Sequence, residues 1–148
     1  DGFGPAVVEH LEKNYPVPAA VRVLNVGTSV RELLFNLLLE ENPIPKRIII
    51  VDALDTGNAY LPGEIFTITP DELPENKLVD FSMHQLPTSN LLRELREFKK
   101  IAVDIFAVQV ANISPEIKPG LSPTLVAAIP NVCELILQCV NQEDKTDA

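Results

Sequence analysis

Short apolar segments that read as strands alternate along this chain with longer segments patterned as helices. The alternation predicts an α/β protein of three layers, a mainly parallel twisted sheet with helices on both faces. Three observations carry that expectation. The run "IIIVDAL" is continuous in large apolar residues, as in a strand covered on both faces. In "VRELLFNLLLEEN", Val30, Leu33, Leu34, Leu37 and Leu38 fall at i, i+3, i+4, i+7 and i+8, which is one helical face. The run "IAVDIFAVQVA" at 101–111 returns to strand composition.

The other elements follow in order. "PAVVEHLEKNY" places Val8, Leu11 and Tyr15 at helical spacing, with Pro5 suited to a first turn. "AVRVLNV" at 20–26 alternates and is rich in valine, so it reads as a strand, and "GTS" supplies a turn and a helix cap after it. "PIPKR" breaks the next helix and leads into the central strand. "PGEIFTITP" reads as a further strand bounded by prolines, and "ELPEN" as exposed loop. In "SNLLRELREF", Leu91, Leu92, Leu95 and Phe98 form a helical stripe. "SPEIKPG" is loop, and Ser122 with Pro123 opens a last helix that Pro130 should kink or restart.

With 148 residues and 46% hydrophobic composition the chain can bury one sizeable core. A single domain over 1–140 is expected, with a polar tail at 141–148, and no internal repeat or low-complexity segment stands out. The chain opens on "DGFGPAVVEHLEK", a Gly-containing turn and helix with no strand ahead of it. Such a turn normally follows a strand in a doubly wound fold, so the natural protein is expected to carry an additional N-terminal strand.

Lys+Arg 12 against Asp+Glu 21 gives a formal charge of −9, which disfavours nucleic acid and anionic membrane surfaces as partners. Cys133 and Cys139 lie about 240° apart on a helix of 3.6 residues per turn, so they should not pair. Neither has zinc-site spacing, and both read as small apolar residues in a reducing compartment. No apolar run approaches the ~20 residues of a membrane span and no signal peptide is visible. The expectation is a soluble, cytoplasmic monomer.

In open α/β sheets ligands bind beyond the carboxyl ends of the strands. Asp52 ends the run "IIIVD" at such a place. A carboxylate there would be costly if buried and unpaired, so it should face a mouth, a cation or a donor, or else cap the next loop. Asp1 precedes a Gly-x-Gly turn that opens a helix, where capping alone would favour it. His84, in "DFSMHQLPTSNLL", could cap or pack at a helix start. Two carboxylates and an imidazole from three loops could also converge on one metal and leave coordination positions open, which spacing alone does not show.

Five segments, "DGFGPAVVEHLEKNYP", "VLNVGTSVRELLFNLL", "IIIVDALDTGNAYLPGEIF", "FSMHQLPTSNLL" and "PGLSPTLVAAI", occur in an order that covers nearly the whole chain. In that order the chain resembles the hydrogenase maturation endopeptidases, proteases that trim the C-terminal peptide from the large subunit of nickel-iron hydrogenases. "DALDTG" and "PGEIF" are most similar to the archaeal branch that matures coenzyme F420-reducing hydrogenases. The resemblance implies that Asp1, Asp52 and His84 are the metal-binding and catalytic residues. It also implies that the metal recognised is Ni²⁺ already inserted in the precursor, with no organic cofactor. The family's opening strand and its "GN-x-L" turn are missing ahead of Asp1. The family's "D-G-G-T" appears as "NVGT", with Asn25 and Val26 in place of Asp and Gly, so only Gly27 and Thr28 carry over as substrate-loop residues. Met83 stands where relatives often have proline.

Two other readings compete. The segment from "VRVLNVGTS" to "KRIIIVDA" imitates a Rossmann-like site for an adenosyl ligand, as in methyltransferases, although it holds a single glycine. A non-catalytic module that binds the hydrogenase subunit is the second. No G-x-S-x-G elbow or Cys/His pair suggests a nucleophile. His10 and the mixed charges of "RELREFKK" read as solvated helix surface.

Overall fold

A computed structural model describes residues 2–41, 44–57, 59–72, 88–111 and 119–146. Within them lie helices α1 (Phe3–Asn14), α2 (Val30–Leu39), α3 (Thr88–Lys99) and α4 (Pro123–Thr146), and strands β1 (Arg47–Leu54), β2 (Ile65–Ile68) and β3 (Ala102–Gln109). The strand order is β1-β3-β2. β1 runs parallel to β3, with Arg47 opposite Ala102 and Leu54 opposite Gln109. β2 is antiparallel to β3, with Ile65 opposite Val108 and Ile68 opposite Ile105. The α/β class and the helices on both faces are as expected, and the sheet is mixed.

Alternation along the strands sorts side chains to two faces. On one, Ile49, Val51, Ala53, Phe106 and Val108 meet Phe3, Val7 and Leu11 of α1 and Leu125, Ile129, Val132 and Cys133 of α4. On the other, Ile48, Ile50, Val103 and Ile105 meet Leu34 of α2 and Leu92 and Leu95 of α3. A third cluster, Leu54, Phe66 and Ala107, closes the carboxyl end of that second face.

Several elements differ from expectation. Residues 21–26 form no strand: the segment keeps its alternation, with Val23 packed against the α1/α4 cluster and Leu24 54% exposed, but makes no ladder with β1. β1, read as covered on both faces, is half-buried until Leu54. The covered strand is β3, because it has a neighbour on each side. Val7, not Val8, is the buried residue of α1, and Phe98 at the end of the α3 stripe is 74% exposed. Ser29 makes no side-chain capping bond, since Gly27–Ser29 is a 3₁₀ turn running straight into α2. Pro130 does not interrupt α4. It removes a donor from the Val126 carbonyl on an exposed turn, while Ala128, Ile129, Val132 and Cys133 hold both sides of the proline in the core.

Contrary to the expected lack of any such run, Pro123–Gln142 is long and apolar enough to cross a membrane by length and composition. Its buried stripe packs on α1 and the sheet instead. The helix also takes in the first six residues of the polar 141–148 segment. "RELREFKK" is more than a solvated face. Arg96 makes a two-pronged ion pair with Asp71, both bonds at 2.7 Å, and Arg93 donates to the Pro70 carbonyl at 3.2 Å.

Candidate active site

Asp52 occupies the sixth position of β1, on the face that carries Ile48, Ile50 and Leu54. Ala107 of β3 lies opposite it, and Phe66 of β2 lies opposite Ala107. A methyl group is thus the neighbour of the carboxylate, and Ala107 is itself fully buried. Beyond it Phe66 stacks on Tyr60, ring centroids 4.1 Å apart and 2° from parallel. Asp52 is half-buried, and the Ala53 N–H donates to its Oδ1 at 2.8 Å. Burial pushes its pKa above the usual carboxylate value, with the Ala53 N–H acting against that rise. Among the described residues no lysine or arginine pairs with it.

The helix α1 starts at the same end of the sheet. A Cβ on Gly4 would stand 3.0 Å from the Val51 carbonyl oxygen, so only glycine lets the first turn of α1 lie this close to the residue before Asp52. Pro5, in that first turn, lacks only an N–H that has no intrahelical partner there.

A turn follows β1 and rims the site. Asp55 Oδ1 accepts the Gly57 N–H at 2.9 Å, and Gly57 adopts φ +70, a conformation that favours glycine. Gln109, at the end of β3, anchors this turn. Its Oε1 accepts the Thr56 N–H at 3.0 Å and the Thr56 hydroxyl at 2.5 Å. Its Nε2 donates to Asp55 Oδ1 at 3.1 Å and to the Val110 carbonyl at 2.8 Å. Sequence reading passed over Gln109, although an amide inside the apolar run "IFAVQVA" is the same kind of signal that singled out Asp52.

Of the other expected site residues, Asp1 and His84 lie outside the described residues, as does Met83. Gly27 is placed, in the turn before α2, and Thr28 is placed by its backbone. Among the described residues no cluster of three metal-binding side chains occurs. A strand–glycine loop–helix unit for an adenosyl ligand is not formed either, since 21–26 before Gly27 is not a strand. His10 is half-buried rather than fully solvated, 6.2 Å from the Tyr15 ring. It lines a shallow groove of about 370 Å³ with Glu9, Lys13 and Ile129, on the α1/α4 side, whereas Asp52 belongs to the α2/α3 side.

Fold and site together define an α/β protein with a half-buried carboxylate near the carboxyl end of a strand. The hydrogenase maturation protease family profile matches residues 5–139. A Methanocaldococcus jannaschii protein named as a hydrogenase maturation protease is 38% identical over 138 residues, 93% of this chain and 85% of the relative. The coenzyme F420 hydrogenase subunit delta of Methanothermobacter thermautotrophicus is 35% identical over 93% of this chain and 84% of its own length. Among solved structures, the hydrogenase maturating endopeptidase HybD from Escherichia coli superposes with a TM-score of 0.71 at 29% identity, covering 96% of this chain and 84% of that one. The chain belongs to the hydrogenase maturation protease family.

Proposed function

We propose that this protein is a cytoplasmic, monomeric endopeptidase that removes the C-terminal peptide from a nickel-iron hydrogenase large-subunit precursor once nickel has been inserted. The observation that carries the reading is Asp52: a half-buried carboxylate at the end of β1, raised in pKa by burial and with no lysine or arginine pairing with it among the described residues. A desolvated carboxylate gains most from a cation brought to it. Asp1 and His84 complete the proposed ligand set, with Gly27 and Thr28 contributing to a substrate loop. Carboxylate and imidazole suit a borderline cation such as Ni²⁺, while a thiolate-rich site would compete with the cysteines of the hydrogenase. Nickel is here part of the substrate, and cleavage becomes a check on metal loading. The subunit-delta relative makes a coenzyme F420-reducing hydrogenase a candidate source of the precursor.

Held between enzyme and precursor, the nickel would polarise the scissile carbonyl or activate a water, with Asp52 or Asp1 as base. The test mixes the protein with nickel-loaded and nickel-free precursor and follows the precursor mass. A mass loss only in the nickel-loaded sample is expected. Asp52→Ala and His84→Ala should each slow processing by at least about 100-fold with an unchanged circular dichroism spectrum, as for loss of a group that acts only in the transition state. Full processing by both variants would refute the site assignment. Binding without any cleavage would favour the non-catalytic module.

A further inference from the structure

Gln109 is the one fully buried polar side chain among the described residues, 2% exposed. A strand position with a purely packing role is filled at least cost by an apolar residue, and a buried amide is tolerated only when its bonds are made. All four of its bonding positions are used, and three of the bonds end on Asp55 and Thr56. The backbone of Gln109 holds the far end of the same β1–β2 connection: its carbonyl accepts the Gly63 N–H at 2.8 Å, and its N–H donates to the Glu64 carbonyl at 2.9 Å. One residue therefore pins both ends of the segment. Between those ends Leu61 is 75% exposed and Tyr60 rests on Phe66. On β3 Gln109 is the next same-face position after Ala107, which lies opposite Asp52.

We propose that Gln109 is a positioning residue that holds the two ends of the β1–β2 connection, Asp55–Thr56 and Gly63–Glu64, as a preformed wall beside Asp52, against which the hydrogenase precursor docks. This rests on the function proposed above. A wall fixed before the encounter spares the precursor the entropy of ordering it, so its effect belongs to binding. Bond-making at Asp52 does not depend on it.

Gln109→Met removes the amide at similar length. Amide exchange at Thr56 should become at least about tenfold faster, while Ile50 and Val51 exchange as in the wild type. The Kd for nickel-loaded precursor should rise about tenfold, with the single-turnover cleavage rate at saturation within about threefold of wild type. Thr56→Val, which deletes one bond without touching the strands, should raise Kd about threefold, and Thr56→Ser should bind as the wild type does. Unchanged exchange at Thr56 overturns the inference. So does faster exchange with unchanged Kd, which would make the contact structural only, and so does a loss confined to the saturated rate. If Gln109→Met does not fold, the Thr56 pair decides. Wild-type protein that neither binds nor cleaves precursor would remove the parent reading, whereas normal wild-type cleavage with unaltered constants in these variants would overturn the positioning role alone.

Discussion

At Asp52 function and stability pull in opposite directions. Burial disfavours the charged carboxylate, so its pKa in the folded protein lies above the ordinary value of 3.8. The folded state thus holds the proton more tightly than the unfolded chain does. That contribution to stability is fully present below the unfolded pKa and is lost as pH rises through the folded one. Burial thus keeps the Asp52 carboxylate where its charged form is unfavourable, as expected of a side chain that awaits a cation. Asp52→Asn keeps an acceptor for the Ala53 N–H and removes the titration. It should melt at a higher temperature than wild type near pH 7, and the gap should close as pH falls to about 3. A gap that is constant across that range would contradict the burial argument. The same variant should not process precursor.

Among the elements, α3 ends on an unusual residue. Lys100 has φ 59, the left-handed region that glycine usually fills at a helix stop, and Ile101 donates back to the Leu95 carbonyl, six residues earlier, at 3.3 Å. Lysine there strains its Cβ against the backbone. Lys100→Gly should stabilise the fold by roughly 0.5–1 kcal/mol, the strain relief less the added freedom of the unfolded glycine, seen as a Tm rise of about 2–4 °C. What the sequence made legible sorts by where the cause lies. The α2 stripe was readable because its period is internal, and Val30, Leu33, Leu34, Leu37 and Leu38 are all buried or half-buried. β1, β2, β3 and α3 were readable for the same reason. Segment 21–26 was not, because a strand exists only through a partner's hydrogen bonds. Nor was the choice of β3 over β1 as the covered strand, or the grip of Arg93 and Arg96 on Pro70 and Asp71, contacts with no local signature. Asp52 stood out as a charge ending an apolar run, while Gln109 reveals its role only through the loop it binds.

Over the whole molecule the two cores share the sheet, with β3 at its centre. β3 sends Phe106 and Val108 into the α1/α4 core and Val103 and Ile105 into the α2/α3 core, so neither side can lose its packing without exposing the other's sheet. That connection predicts a single unfolding unit, as expected for one domain of under about 150 residues. Val132 of α4 and Leu95 of α3, each 0% exposed, test it from opposite faces. Leu95→Ala should cost about 2–5 kcal/mol, and Val132→Ala, losing two methyl groups plus a cavity, about 2–3 kcal/mol. Separated by the sheet, the two losses should add to within roughly 0.5 kcal/mol, and each variant should still melt in one calorimetric transition. Two resolved transitions in either variant would show that the faces fold independently. The strand end that carries Asp52 would then be built at the margin of one core instead of at the junction of both.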